Sequence, residues 1–302
     1  MKLRIAENFR AVFYAPFYAI RALGLAAREG LEVEWLTSDA PGGAIAQVKR
    51  GAIDAQWGGP MRVLKDHDST PDDGARLVCF SEVVWRDPFY LIGRSQPPRF
   101  QLEDVAAMRL GVVSEVPTPW YCLRADLEDA GVDTAAMRNS GGLVDNLTMP
   151  QQLAALAAGT LDAVQLFEPH ASRALAEGYA ILYAASARGP TSYTAFITSR
   201  DSAFQRRAEF AALTRATQAM LGWLANEGPA QLARVTAPFF PDVPQEVLRP
   251  AFERYHSAGL WSRSTTVSKA GFDRLAYSLH DGGFIARRAT YAECVQDFGR
   301  RA

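Results

Sequence analysis

The chain lacks most of the features that mark a nucleic-acid, membrane or metal protein. Its 32 Lys and Arg against 33 Asp and Glu give a formal net charge of -1, and without a long basic run there is no electrostatic footprint for nucleic acid. No uninterrupted apolar window is long enough for a membrane-spanning helix. Cysteine is scarce: Cys79, Cys122 and Cys294 are odd in number, far apart and free of Cys-x-x-Cys spacing, so they read as reduced, buried thiols and neither disulfides nor metal ligands. His67, His170, His256 and His280 share no metal-ligand spacing. A P-loop, a dinucleotide fingerprint and a Ser-His-Asp order are also missing, so neither cofactor nor metal is expected. Charged Glu7 and Arg10 fall where the apolar region of a signal peptide would continue. The sequence as written therefore reads as cytoplasmic, or as periplasmic if an export segment was removed.

What is present is a repeat. Residues 42–61 read GGAIAQVKRGAIDAQWGGPM: an amphipathic helix stopped by Gly51, an apolar strand, then Gly58-Gly59-Pro60. The same grammar returns at 152–169, where Gly51, Asp54 and Ala55 recur as Gly159, Asp162 and Ala163, 108 residues on. The flanks agree too, Lys2–Ala6 preceding the first copy and Met108–Val113 the second. Such a period is too long for a solenoid unit. It implies two similar α/β lobes, and 48% hydrophobic residues can fill two modest cores.

In chain order, Leu3–Ala6 and Leu31–Leu36 read as strands, with a helix over Phe17–Leu25 opened by Pro16 between them. Residues 38–43 form a turn. This βαβ order implies parallel-rich sheets whose ligands gather at the carboxyl ends of strands. Strands are expected near 77–84, 88–93, 110–113, 180–184 and 193–198, and residues 94–98 carry a boundary signal. Helices are expected over 102–107 and 120–128, the latter with an amino terminus free to meet an anionic group. From Ser202 the pattern is helical, over Ala203–Asn226, Gln245–Ala258 and Gly271–His280, with a break at Gly228-Pro229. The expected division is 1–93 plus 193–302 for lobe one with the C-terminal helices, and 94–192 for lobe two.

The run Tyr14–Leu25 followed by Gly30–Glu34, the repeated Gly-x-x-Asp-Ala, and the turn Phe167-Glu168-Pro169-His170 together resemble the type II periplasmic-binding-protein fold. The resemblance spans roughly Leu3 to Arg200 and is closest to the branch that serves ABC transporters with thiamine-pyrimidine precursors, taurine and alkanesulfonates. It implies two lobes that close on a small ligand, stabilised by the ligand's preference for the closed state. An ABC transporter permease is the implied partner if the protein is exported.

The resemblance implies a lining. From the loop after the first strand come Asn8, Phe9, Arg10, Phe13 and Tyr14. From the first repeat turn come Gly42, Trp57, Gly58, Gly59 and Met61. Lobe two supplies Ser114, Glu115, Pro117, Thr118, Phe167 and Glu168, and Trp85 and Tyr193 lie near the crossing strands. Each has a second reading: Gly58-Gly59 as a tight turn, Trp57 as core, Phe13 and Tyr14 as a helix-start staple, Arg10 as a solvated charge, Glu168 as a turn cap. As a ligand residue, Arg10 would offer a planar oxyanion its guanidinium fork. The aromatic lining and that charge together suggest an aromatic or heteroaromatic ligand with an anionic group.

The fold also hosts enzymes. Pyrimidine synthesis in a fungal relative needs a cysteine-rich iron run that this chain lacks. A biphenyl-sulfinate desulfinase uses an early cysteine and an Arg-x-Gly-Gly turn; here Gln56 stands for the arginine and residues 8–14 hold no cysteine. A cofactor-independent aromatic acid decarboxylase, a lyase, remains as the alternative, with Glu168 and His170 as catalytic groups and Arg10 or Arg62 holding the carboxylate.

Overall fold

The two halves of the repeat fold into two sheets of the same topology. In the computed structural model, which describes residues 1–38, 40–95 and 97–299, the strands are β1 (Lys2–Ala6), β2 (Glu32–Leu36), β3 (Ala55–Gly58), β4 (Leu77–Val84), β5 (Tyr90–Gly93), β6 (Leu110–Gly111), β7 (Leu143–Val144), β8 (Ala163–Leu166), β9 (Ala180–Ala184) and β10 (Thr194–Ser199). One sheet has the order β2-β1-β3-β10-β4 and the other β7-β6-β8-β5-β9. In each, the first three are mutually parallel and the last two neighbours pair antiparallel. Asp39 and Gln96, within the turns expected at 38–43 and 94–98, lie outside the described residues, as do residues 300–302 of the tail.

The chain divides into unit 1, Met1–Arg86 with Pro190–Ala302, and unit 2, Asp87–Gly189. The strand read near 88–93 belongs to unit 2, because β5 hydrogen-bonds to β8 and β9. The division therefore falls before β5, not after Gly93. The expected helix over Phe17–Leu25 is two helices, Ala15–Ala22 and Leu25–Arg28, since Gly24 turns the backbone left-handed at φ 64. The strand expected over 110–113 pairs only at Leu110–Gly111. The long C-terminal helix Arg207–Thr236 breaks at Gly228, φ 77, just before Pro229. In unit 1 an aromatic core joins sheet to helix: Phe80 stacks on Phe196 at 5.5 Å and lies 5.1 Å from Phe210. Unit 2 has its own core around Leu91, Val105, Leu110, Leu123 and Leu127.

The repeated aspartate has a structural reason. Asp54 Oδ2 accepts the Arg4 N–H at 2.6 Å while the Asp54 N–H donates to the Arg4 carbonyl. Asp162 Oδ2 accepts the Arg109 N–H at 2.8 Å, and the Asp162 N–H donates back to the Arg109 carbonyl. Each carboxylate thus extends the ladder between two parallel strands by one charge-assisted bond. Asp54 is buried and also binds Arg206, whereas Asp162 is exposed. Replacing Asp54 by Ala should cost about 2 kcal/mol or more and replacing Asp162 by Ala about 1 kcal/mol, measured by urea unfolding.

β4 carries a second device. Ser81 has φ 52, unusual for a non-glycine residue, where the β4–β10 register shifts. Beside it the buried Glu82 accepts the Ser192 hydroxyl and, at 2.9 Å, the Ser268 N–H. Burial pushes its pKa up to about 7, with the two hydrogen bonds opposing. The folded protein keeps a proton that the unfolded chain releases near the usual carboxyl pKa. Stability is therefore greatest below that range and declines as pH rises toward 7, by about 3 kcal/mol in all. Glu82→Gln should flatten this slope in denaturant titrations between pH 4.5 and 7.5.

Candidate functional site

The turn after β3 and the loop after β1 build a polar cluster in unit 1. Asn8 is buried; its Nδ2 donates to the Tyr14 hydroxyl at 3.1 Å and its Oδ1 accepts the Gly42 N–H at 2.7 Å. Gly42 has φ 78, and a Cβ there would sit 2.1 Å from Arg62 Nη1. The Arg62 guanidinium therefore fills the space that a side chain at Gly42 would need. A Cβ on Gly58 would lie 3.1 Å from Gln56 Nε2 and 3.6 Å from Asn8 Cγ, so Gln56, Asn8 and Gly58 are neighbours.

Two of these side chains are left without partners. Gln56 is fully buried, yet neither its amide nitrogen nor its amide oxygen has a hydrogen bond among the described residues. Arg62 Nε is buried without a partner, and its guanidinium makes no ion pair among the described residues. Desolvation lowers the Arg62 pKa, partly offset by Tyr14. The Tyr14 hydroxyl is pushed up to about 12, first by burial. A desolvated cation against Gly42 and an unsatisfied amide against Gly58, with Asn8 in contact with both glycines, are each costly to leave unpaired. Both suit an oxyanion that accepts from each.

Around this cluster Phe9 lies 5.3 Å from Tyr14, and Phe13 lies 4.3 Å from Tyr14 and 6.1 Å from Tyr193. The Gly59 carbonyl accepts the Arg62 N–H at 3.0 Å, where Met61 begins the helix Met61–Ser69. Arg10, expected in the lining, has partners of its own within unit 1. Its fork is turned to the Glu7 carboxylate, at 3.0 and 3.3 Å, and its Nη1 donates to the Phe239 carbonyl. A buried carboxylate at position 7 captures the charge. Trp57 is core in large part: it stacks on Phe17 at 5.2 Å with the rings 8° apart, and Tyr18 meets it edge-on. The cavity between Trp57, Trp35, Tyr18 and Phe239 is only about 30 Å³, room for a water or two. Trp85 is engaged elsewhere, its Nε1 donating to the Gly259 carbonyl at 2.7 Å.

In unit 2 the expected residues have structural duties. Glu115 Oε1 accepts the Met149 N–H at the start of the helix Met149–Ala158. The Ser114 hydroxyl donates to the Leu147 carbonyl. Pro117 and Thr118 start the helix Thr118–Asp129. Phe167 packs edge-on against Phe89 at 5.1 Å. Glu168, fully buried, accepts the Ser172 N–H at 2.9 Å and the Ser172 hydroxyl at 2.6 Å, holding the helix His170–Ala176. The His170 pKa is lowered, first by desolvation and then by Arg173. Of the residues expected in the lining, Asn8, Tyr14, Gly42 and Gly58 come together in this cluster, whereas Arg10 pairs with Glu7. Sequence reasoning named Arg62 only for a decarboxylase, and Gln56 only as a missing arginine. The available signal was the alternation of β3, which puts an amide and a glycine on one face of a buried strand. Gly42→Ala should destabilise the protein by about 1–3 kcal/mol, because a left-handed backbone and the displaced Arg62 oppose it together, as read by thermal unfolding.

Comparison with known proteins follows this geometry. A model of the NMT1-like family matches residues 94–237, just under half of the chain. YtlA of Bacillus subtilis (strain 168) is 21% identical over 302 residues, covering 97% of this chain and 87% of YtlA. The periplasmic aliphatic sulphonate binding protein SsuA of Escherichia coli superposes with a TM-score of 0.74 at 16% identity, over 98% of this chain and 92% of that one. The alkanesulfonate-binding protein SsuA of Xanthomonas axonopodis pv. citri, solved with bound MOPS, gives 0.70 at 17% identity over 98% of each chain. The chain is therefore a two-unit α/β protein of the type II periplasmic-binding-protein fold, similar in that fold to substrate-binding proteins of ABC transporters and over residues 94–237 to the NMT1-like family.

Proposed function

We propose that the protein is a small-molecule binding protein of the ABC-transporter type whose unit 1 holds the anionic group of its ligand. The observation that carries this reading is the unpartnered pair of Arg62 and Gln56 beside Asn8 and Gly42. An oxyanion there would take the Arg62 fork and the Gln56 amide, replacing the hydration both have lost. The apolar part of the ligand, aromatic or heteroaromatic, would meet Phe9, Phe13, Tyr14 and Tyr193. An ABC transporter permease would be the partner of such a protein. The decarboxylase alternative gains no support, since Glu168 is bonded to Ser172 and Arg10 to Glu7.

The test is calorimetry and thermal shift with alkanesulfonates, aromatic sulfonates and aromatic carboxylates, with product analysis of each hit. A hit should bind one to one and be recovered unchanged. Arg62→Ala should weaken it by about 2 kcal/mol or more, roughly thirtyfold. Gln56→Leu should weaken it about tenfold while stabilising the ligand-free protein by about 1 kcal/mol, because an apolar side chain removes the unsatisfied amide. Undiminished binding in both variants would refute the placement, and neutral sugars or amino acids binding in place of anions would refute the ligand class.

A further inference from the structure

A second cavity lies among the C-terminal helices of unit 1. Its volume is about 220 Å³, well above the ~15 Å³ that holds one water. Leu221 and Leu224 on the helix Arg207–Thr236, together with Trp261, form an apolar floor, and His256, Ser262 and Arg263 supply the polar lining. No carboxylate lines it. His256 and Arg263 are exposed, and neither side chain has a hydrogen bond or ion pair among the described residues. The cavity therefore offers an apolar body and one fixed positive charge with nothing in the lining to neutralise it.

We propose that this cavity is a second binding site, for a small amphipathic carboxylate whose chain lies on Leu221, Leu224 and Trp261 and whose anionic end meets Arg263. Charge complementarity sets the sign of the ligand, and the apolar floor requires an aliphatic or aromatic body. The site is built by residues that take no part in the Arg62 cluster. It has one physical link to it, because Trp261 Nε1 donates to the Phe13 carbonyl at 3.0 Å and Phe13 packs on Tyr14. The Trp261 indole N–H is thus a reporter of occupancy.

The probe is hexanoate, with hexylammonium as control, titrated into the full-length protein while the Trp261 indole N–H resonance is followed by NMR and assigned by its loss in Trp261→Phe. A saturable shift is expected with hexanoate and none with hexylammonium. Arg263→Glu should weaken hexanoate at least tenfold. Ala225→Trp, which fills the cavity from an exposed helix position, should abolish it with thermal unfolding unchanged. Binding should persist in Arg62→Ala. The inference is overturned if no saturable shift occurs, if hexylammonium binds equally well, or if binding survives Ala225→Trp and disappears in Arg62→Ala. That last result would place hexanoate in the Arg62 cluster and leave the proposed function standing.

Discussion

Both units depend on one aspartate carboxylate that closes the ladder between the first strand of the repeat and the third. Parallel strands cannot be joined by a tight turn, so their relative register has to be fixed by something other than the connection. Asp54 and Asp162 do this by accepting a backbone N–H from the neighbouring strand while their own N–H groups return a bond to the same residue. In unit 1 the constraint reaches further. Arg206, at the start of the long C-terminal helix, binds Asp54 and the Lys2 carbonyl together, so one buried carboxylate registers the sheet and anchors the helical extension.

Register decides what a short strand can do, because a slip of one residue exchanges its faces. In β3 the alternation places Ala55 and Trp57 on one side and Gln56 and Gly58 on the other. Trp57 is absorbed by stacking on Phe17. Gly58, lacking a side chain, leaves room for the Gln56 amide and for Asn8 to come close. The strand then ends at Gly58, and the helix capped by Pro60 brings Arg62 against Gly42. Four consecutive strand residues thus separate an aromatic core from a polar cluster.

Much of this was legible before the structure. The repeat, the two sheets, the break at Gly228 and the glycines of the turn follow from periodicity and from the scarcity of residues that tolerate a left-handed backbone. The resemblance put Asn8, Tyr14, Gly42 and Gly58 in one lining, and the structure brings the four together. Arg10 pairs within unit 1 for a reason the linear sequence does not show: Glu7 is buried and turns the nearest cation toward itself, with Tyr18 as its other partner. In unit 2 Ser114, Glu115 and Glu168 are polar residues at loop positions with partners close by: the Ser114 hydroxyl donates to the Leu147 carbonyl, and the two carboxylates accept from the N–H groups of Met149 and Ser172 in the first turns of the next helices. Which donor a loop carboxylate finds is a question of three-dimensional distance, and periodicity is silent on it.

The two units share a pattern of sequence and topology but not of polar satisfaction. In unit 2 the buried Gln165 donates to the Pro119 carbonyl and accepts from the Val113 N–H, while Gln152 donates to the Val112 carbonyl and accepts from the Gln165 N–H. Each amide there is satisfied on both sides, so neither has capacity to spare. Gln56 is buried as deeply, on the corresponding strand of the other sheet, and has no partner on either atom among the described residues. A buried amide left unsatisfied destabilises the empty protein by an amount that a core leucine would remove. On the proposed reading, the anionic, hydrogen-bond-accepting group of the ligand completes the network.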